Sequence, residues 1–361
     1  MQVIIIRHLF SFIFSFLFAF YLVPLLAKSA EQLGFLDKPD GKIKVHKTPV
    51  PYLGGLAIYC CFIATLGLAY PFANNALWLL LGTTLLLLVG LIDDLKALRP
   101  GQKFFGQILA VLCFFKGGYS LKTEFFSSGF NLFISGFWML SVINAFNLVD
   151  VMDGLASTIA LVASISLFVI ALIFGQYDAS LLLAPFIGAL LAFFLYNKPP
   201  ASIYLGDSGS MFIGGFLSAM PFFLNWSSKS FDAYYAPAII LGIPLLEVFF
   251  LVIIRTSLGL RFYNGSPHHY CIYLQKKNWS KNKILLFTAA MGILLSNLAF
   301  LFLFQIISFW FLIALGAIFF ALWCFAIFSH GKKTEQAHKQ SAHVPGNRFQ
   351  PAAMSAKNNR K

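Results

Sequence analysis

Residues 78–94 read WLLLGTTLLLLVGLIDD, an almost unbroken apolar run that ends on two adjacent carboxylates, Asp93 and Asp94. A helix needs about 20 mainly apolar residues to cross the ~30 Å hydrocarbon layer of a bilayer. With the residues just before it this run is long enough, so it predicts a membrane span over 75–92. Comparable runs lie at 8–27, 52–71, 104–120, 131–149, 155–174, 179–196, 210–225, 234–254, 283–303 and 307–328. The last two form one apolar stretch, too long for a single crossing, which divides near Gln305 as a tight hairpin. The run 104–120 is interrupted by Lys116, and 234–254 carries Pro237, Pro244 and Glu247. Proline in a membrane helix is tolerated where neighbours re-satisfy the backbone, and it bends the helix.

The composition agrees. Of 361 residues, 59% are apolar and 11% charged, and 43 are phenylalanine. Soluble domains are about 25% charged, so a water-soluble body of this kind is excluded, as are disordered and disulfide-scaffold classes. Cys60, Cys61, Cys113, Cys271 and Cys324 follow no metal spacing and read as small apolar residues. The first apolar run is longer than a signal-peptide core, and Lys28 spoils the cleavage pattern, so a retained first span is expected. The expected fold is an all-α polytopic membrane protein of about 11 transmembrane helices. Residues 1–329 would form a single integral membrane domain, and 330–361 a basic, disordered cytoplasmic tail.

Orientation follows from Lys and Arg in the alternating loops. With the N-terminus outside and the C-terminus cytoplasmic, every basic residue except Arg7, Lys116, Lys122 and Lys229 falls inside. The 26 Lys and Arg against 13 Asp and Glu give a charge of +13, which topology and contact with anionic lipid explain without nucleic acid. The inner loops at 28–51, 93–103, 150–154, 197–209 and 255–282 hold nearly all the chemistry-capable residues, so function is expected at the cytoplasmic face.

Asp93 and Asp94 sit at a helix C-terminus, where the macrodipole disfavours negative charge. Solvated loop acids would explain them. So would a nearby cation, or a raised pKa that makes one a general base. Asn144, Asn147, Asp150 and Asp153 recur every third position as a span reaches the inner face. One or two such residues would be interhelix glue, but four in one row favour a site. Residues 204–210, Tyr-Leu-Gly-Asp-Ser-Gly-Ser, put Asp207 near a helix N-terminus with flexible glycines, either an ordinary cap or a place for a phosphate or its metal. Oxygen ligands of this type suit Mg²⁺ or Mn²⁺. The loop 37–47 crowds Lys38, Lys42, Lys44, Lys47 and His46 before the paired Gly54 and Gly55, which look built for close backbone approach. His268 and His269 lie in the basic loop after Arg255, where phosphate binding or proton handling fits better than zinc. Carboxylates and lysines gathered on one face imply a divalent metal and a polyphosphate.

As a set, these loops resemble the polyprenyl-phosphate N-acetylhexosamine-1-phosphate transferase family over about residues 33–280. Residues 37–46 with 51–55 resemble its first loop, and Gly90-Leu91-Ile92-Asp93-Asp94 with Lys103 and Gln107 its second. Residues 147–156, Asn-Leu-Val-Asp-Val-Met-Asp-Gly-Leu-Ala, are similar to its Asn-Leu-x-Asp-Gly-x-Asp-Gly-Leu-Ala signature, and 205–210 to its Gly-Asp-x-Gly-Ser element. Two departures stand out: Val151 replaces a glycine, and a larger histidine cluster is reduced to His268-His269. The resemblance implies Asp207 as main Mg²⁺ ligand, with Mn²⁺ as a substitute. Asp93 would be the base that keeps a lipid phosphate dianionic, with Asp94 beside it for metal or orientation. Lys47, Asn147, Asp150 and Asp153 would hold nucleotide and pyrophosphate, and His268 and His269 the sugar phosphate. The implied partners are a UDP-N-acetylhexosamine and undecaprenyl phosphate in a bacterial inner membrane. The implied reaction transfers sugar 1-phosphate to the lipid and releases UMP, as the first membrane step of envelope polysaccharide synthesis. Eleven spans resemble the N-acetylglucosamine branch; the alternative is the phospho-N-acetylmuramoyl-pentapeptide branch of peptidoglycan synthesis. A lipid-linked substrate flippase would need acids deep in the spans, whereas these gather at one rim. The sequence leaves a homodimer open.

Overall fold

The computed structural model describes residues 2–37, 49–72, 74–224, 226, 231–257, 259, 268–318 and 321. The chain forms two units, residues 1–307 and 308–361. The first unit is built of helices, in the order α1 (Gln2–Leu33), α2 (Gly54–Ala69), α3 (Asn74–Leu95), α4 (Pro100–Lys116), α5 (Ser128–Val149), α6 (Leu155–Ile173), α7 (Tyr177–Asn197), α8 (Gly206–Phe223), α9 (Ala236–Ile240), α10 (Gly242–Ser257), α11 (Tyr270–Lys276) and α12 (Lys281–Leu303). Between α1 and α2, β1 (Leu36–Asp37) pairs antiparallel with β2 (Val50–Pro51). In the second unit the apolar helix α13 (Phe309–Ile318) is described. The tail 330–361 lies outside the described residues.

Among the described residues, α1, α3, α5, α6, α7 and α12 are each long and apolar enough to cross a membrane. The pair α9 and α10 reaches that length together, bent by 71°. The chain is therefore an all-α polytopic membrane protein. Large apolar side chains face outward along its helices, for example Phe133 and Phe137 on α5 and Leu286 on α12. So large an apolar surface suits lipid rather than water.

The element boundaries follow local chemistry. Ser127 and Ser280 cap α5 and α12 by accepting from Phe130 N and Lys283 N. Pro100 opens α4 at the position where a missing N–H costs nothing. That helix ends at Lys116, so the expected run to 120 is shortened. The bend expected within 234–254 falls at Leu241, between Pro237 and Pro244. The apolar stretch near Gln305 does break: α12 stops at Leu303, and Gln305 adopts φ +58°.

Helix α8 is the axis of the first unit, buried at every position from Ser208 to Pro221. It packs against α2, α3 and α5. Because α8 begins at Gly206, four residues earlier than the span read from hydropathy, Asp207 lies in its first turn.

Candidate active site

The paired carboxylates at the end of α3 are electrostatically misplaced with respect to their own helix, and the fold corrects each one differently. Asp94 reaches across to the start of α8. Its Oδ1 accepts the backbone N–H of Asp207 at 2.8 Å and its Oδ2 that of Ser208 at 3.0 Å. It thus caps α8 from another helix and sits at the positive end of that helix's dipole. Two glycines permit the contact. Gly90 has no Cβ to collide with the Asp207–Ser208 backbone, and Gly206, at φ +75°, would drive a Cβ to 2.6 Å from the Asp94 carboxylate. The α8 N-terminus, read from sequence as suited to a phosphate, therefore already holds an internal anion. Asp93 accepts from Leu98 N at 2.6 Å and from Lys103 Nζ at 2.9 Å.

Lys103, in the first turn of α4, joins the elements. Besides Asp93 it donates to Asn147 Oδ1 at 3.1 Å and, over a very short contact, to Asp207. Asn147 in turn donates to Asp207 Oδ1 at 2.9 Å and to Ser210 Oγ at 3.0 Å. One ammonium and one amide thus tie α3, α4, α5 and α8 together. Asn144, one step back in the same row, pairs its amide with Gln107 (2.8 and 3.2 Å) and so acts as interhelix glue. The four-residue row therefore divides between packing and site.

Asp150 follows α5 as its C-terminal cap residue. Burial first, then the Asp207, Asp94 and Asp153 carboxylates, push its carboxyl up to about 8. Asp207 is likewise raised, by burial first and then by Asp93, against the pull of Lys103. Val151 stands where the family pattern has glycine, yet its backbone is not left-handed and its side chain points outward. The turn is made by Gly154 at φ +74°, whose N–H donates to Asn197 Oδ1 at 3.1 Å. Asp153 accepts from Lys281 Nζ at 2.8 Å, at the start of α12, and weakly from Ala201 N.

Lys47 lies outside the described residues, as does most of its loop. The glycines that follow are described: Gly54 N donates to Tyr204 O at 3.1 Å and Gly55 N to Leu205 O at 3.0 Å, and a Cβ on Gly55 would strike the Gly209 backbone. Their close approach fixes the segment that delivers Asp207.

His268 and His269 occupy a different neighbourhood. His269 Nδ1 meets Glu247 Oε1 at 3.1 Å, and the same oxygen accepts Tyr270 N at 3.1 Å. Glu247 and His269 are both buried. His268 is half-buried, and burial first, then Lys276, Arg255 and His269, hold its imidazole below its usual pKa, favouring the neutral ring. Among the described residues, neither histidine shares a hydrogen bond or ion pair with the aspartates around Asp207.

Sequence reasoning named the acids around Asp207 but gave Lys103 no role, passed over Lys281 and read Glu247 only as an interruption of a span. Lys103 had a signal, since a lone lysine beside an apolar helix needs a counter-charge. Lys281 had none, because it is one of four lysines (Lys276, Lys277, Lys281, Lys283) from the end of α11 to the start of α12, and only the fold selects it for Asp153.

Among the described residues, no three carboxylate, histidine or cysteine side chains converge on one metal-ligating centre. The donor chemistry nevertheless suits a hard cation. The acids nearest Asp207 offer carboxylate oxygens, while Asn147 turns its N–H to Asp207 and its amide oxygen to Lys103. Burial first, and the neighbouring carboxylates second, favour the protonated form of Asp150, and a cationic group, Lys103, already lies between the Asp93 and Asp207 oxygens.

Comparison with known proteins points the same way. The family model described as glycosyl transferase family 4 matches residues 76–225, which run from α3 to the end of α8. Over 261 residues the chain is 30% identical to a Bacillus subtilis (strain 168) protein named "Probable undecaprenyl-phosphate N-acetylglucosaminyl 1-phosphate transferase", covering 69% of this chain and 72% of that one. Over 293 residues it is 31% identical to the phospho-N-acetylmuramoyl-pentapeptide-transferase of Streptococcus pneumoniae serotype 19F (strain G54), covering 71% and 86%. The chain belongs to glycosyl transferase family 4, the polyprenyl-phosphate N-acetylhexosamine-1-phosphate transferases.

Proposed function

We propose that the protein transfers an N-acetylhexosamine 1-phosphate from its UDP-sugar to undecaprenyl phosphate and releases UMP, in the inner membrane of a bacterium. The observation that carries this reading is the acidic cluster closed by Lys103 and Asn147 at the end of an otherwise apolar bundle. A lipid phosphate and a soluble nucleotide sugar can meet only at such a rim. In the reaction, an oxygen of the lipid phosphate forms a bond to the β-phosphorus of the donor. The bond from that phosphorus to the bridging oxygen breaks, and UMP leaves with the electron pair. Asp207, with Asp93 and Asn147 beside it, would hold Mg²⁺, with Mn²⁺ as a substitute, which when bound neutralises charge on the pyrophosphate. Asp93 keeps the attacking phosphate dianionic. Asp94 holds the first turn of α8, and therefore Asp207, in place. Asp150, Asp153 and Lys47 would hold the nucleotide and pyrophosphate, and His268 the sugar phosphate. For the protein this is mainly positioning and charge neutralisation.

The test uses membranes containing the protein, labelled UDP-N-acetylglucosamine, undecaprenyl phosphate and Mg²⁺, with UMP release followed. Release that depends on the lipid phosphate is expected. The same assay with the UDP-N-acetylmuramoyl-pentapeptide separates the two branches, and no release with any UDP-N-acetylhexosamine refutes the reading.

The topology that goes with it is eleven crossings, with the N-terminus outside and the active site and C-terminus cytoplasmic. It predicts that trypsin added to intact spheroplasts spares the lysines and arginines of 332–361 and cuts them after lysis. Cleavage in intact spheroplasts refutes that orientation.

A further inference from the structure

Lys103 Nζ is arranged unlike a surface lysine. Its side chain is 17% exposed, and it donates to Asp93 Oδ2 (2.9 Å), Asn147 Oδ1 (3.1 Å) and Asp207 Oδ2. An ammonium has three protons and no acceptor, so these three oxygens use all of its donors. They come from α3, α5 and α8, while the lysine comes from α4. Four packed helices thus converge on one positive charge. Without it, Asp93 and Asp207 would face each other with Asp94 and Asp150 close by, a repulsion that weak local screening makes severe.

We propose that Lys103 is a built-in counter-ion that competes with the divalent cation for Asp207. In the metal-free protein its single charge is shared between Asp93 and Asp207, offsets one of their two negative charges and keeps the cluster assembled, and cation binding at Asp207 breaks the Lys103–Asp207 pair. The inference rests on the functional reading above, because it takes Asp207 as the cation's ligand. Two consequences are distinctive. The lysine lowers the site's affinity for divalent cation, since the cation must displace one positive charge and approach another. The lysine also makes the fold tolerant of metal loss, since its charge stands in when no cation is bound. A lysine that merely packed, or that served the substrate alone, would do neither.

The experiment uses detergent-purified full-length protein without nucleotide or lipid substrate. Mn²⁺ binding is measured by electron paramagnetic resonance, and thermal unfolding is followed in EDTA and in Mg²⁺. Lys103→Met removes the charge at similar length, and Lys103→Gln also keeps a hydrogen-bond donor, which guards against simple misfolding. Both variants are expected to bind Mn²⁺ about tenfold more tightly than wild type, a gain of ~1.4 kcal/mol. Both should melt lower in EDTA and regain more of the loss on adding Mg²⁺ than wild type gains. Lys103→Arg, which retains the charge, should keep wild-type metal affinity. Unchanged or weaker Mn²⁺ binding in both neutral variants, with wild type binding normally, overturns the competition. If wild type binds no Mn²⁺ and Asp207→Asn alters nothing, the metal assignment to Asp207 fails instead, and this proposal falls with it.

Discussion

Asp207→Asn is expected to lower kcat for UMP release by about 10²- to 10³-fold or more while leaving the fold intact. The loss follows from where charge is needed. Removing one preorganised electrostatic group from a transfer site costs about 10²–10³ in kcat, and Asp207 is the acid on which the cluster converges. It receives Lys103 and Asn147 through its side chain, and it lies in the first turn of α8. Asparagine keeps the size and one acceptor oxygen, so Asn147 or Lys103 retains a partner, while Asp94 still caps α8 because that contact is to the backbone N–H. Removing a negative charge also relieves Asp150, whose carboxyl the neighbouring acids help push up to about 8. Melting should therefore move by no more than about 1 kcal/mol equivalent, within the usual range for a near-isosteric change. The check is UMP release beside thermal unfolding of the same preparation. Near-normal turnover removes Asp207 from the chemistry, and a collapsed melt assigns it to the scaffold instead.

The acids and their grouping were legible because carboxylates are scarce in this chain and expensive near a bilayer. A short apolar chain segment ending in Asp93 and Asp94 marks the rim whatever the tertiary structure. Which acid does what was not legible, because it depends on contacts between residues far apart in sequence: Asp94 meets Ser208 and Lys103 meets Asp207 only after α3, α4 and α8 have packed. Separate roles for Asp93 and Asp94, base and metal or orientation, came only with the resemblance, since adjacency in sequence does not distinguish them. Successive residues on a helix lie about 100° apart, so the two point to different partners. The start of α8 was misplaced for a related reason. Hydropathy rates Gly206, Asp207 and Ser208 as loop residues, whereas the turn is helical because Asp94 satisfies its free N–H groups. The bend at Leu241 was readable from Pro237 and Pro244, since a proline's missing N–H acts locally. The Glu247–His269 contact was not, because nothing near Glu247 in sequence announces its partner.

Asp94→Ala should be the most destabilising single change at this rim, and its effect separates positioning from chemistry. The alanine leaves the N–H groups of Asp207 and Ser208 without their present acceptors in a partly buried place. Each unsatisfied donor costs about 1–3 kcal/mol, and losing an anion from a helix N-terminus adds up to ~2 kcal/mol. A destabilisation of a few kcal/mol is expected, together with loss of activity, because the first turn of α8 that carries Asp207 would no longer be anchored to α3. Asp94→Asn offers one acceptor in place of two and no charge, so it should fall between alanine and wild type in both melting temperature and turnover. The readout is whether the two quantities move together across Ala, Asn and Asp. If Asp94 acts only on the substrate, activity disappears in both variants while the melting temperature stays at the wild-type value, and the positioning role is wrong. Mn²⁺ binding sharpens the contrast: a displaced α8 turn would bind Mn²⁺ more weakly in Asp94→Ala than in wild type, whereas an Asp94 that served the substrate alone would leave Mn²⁺ binding unchanged.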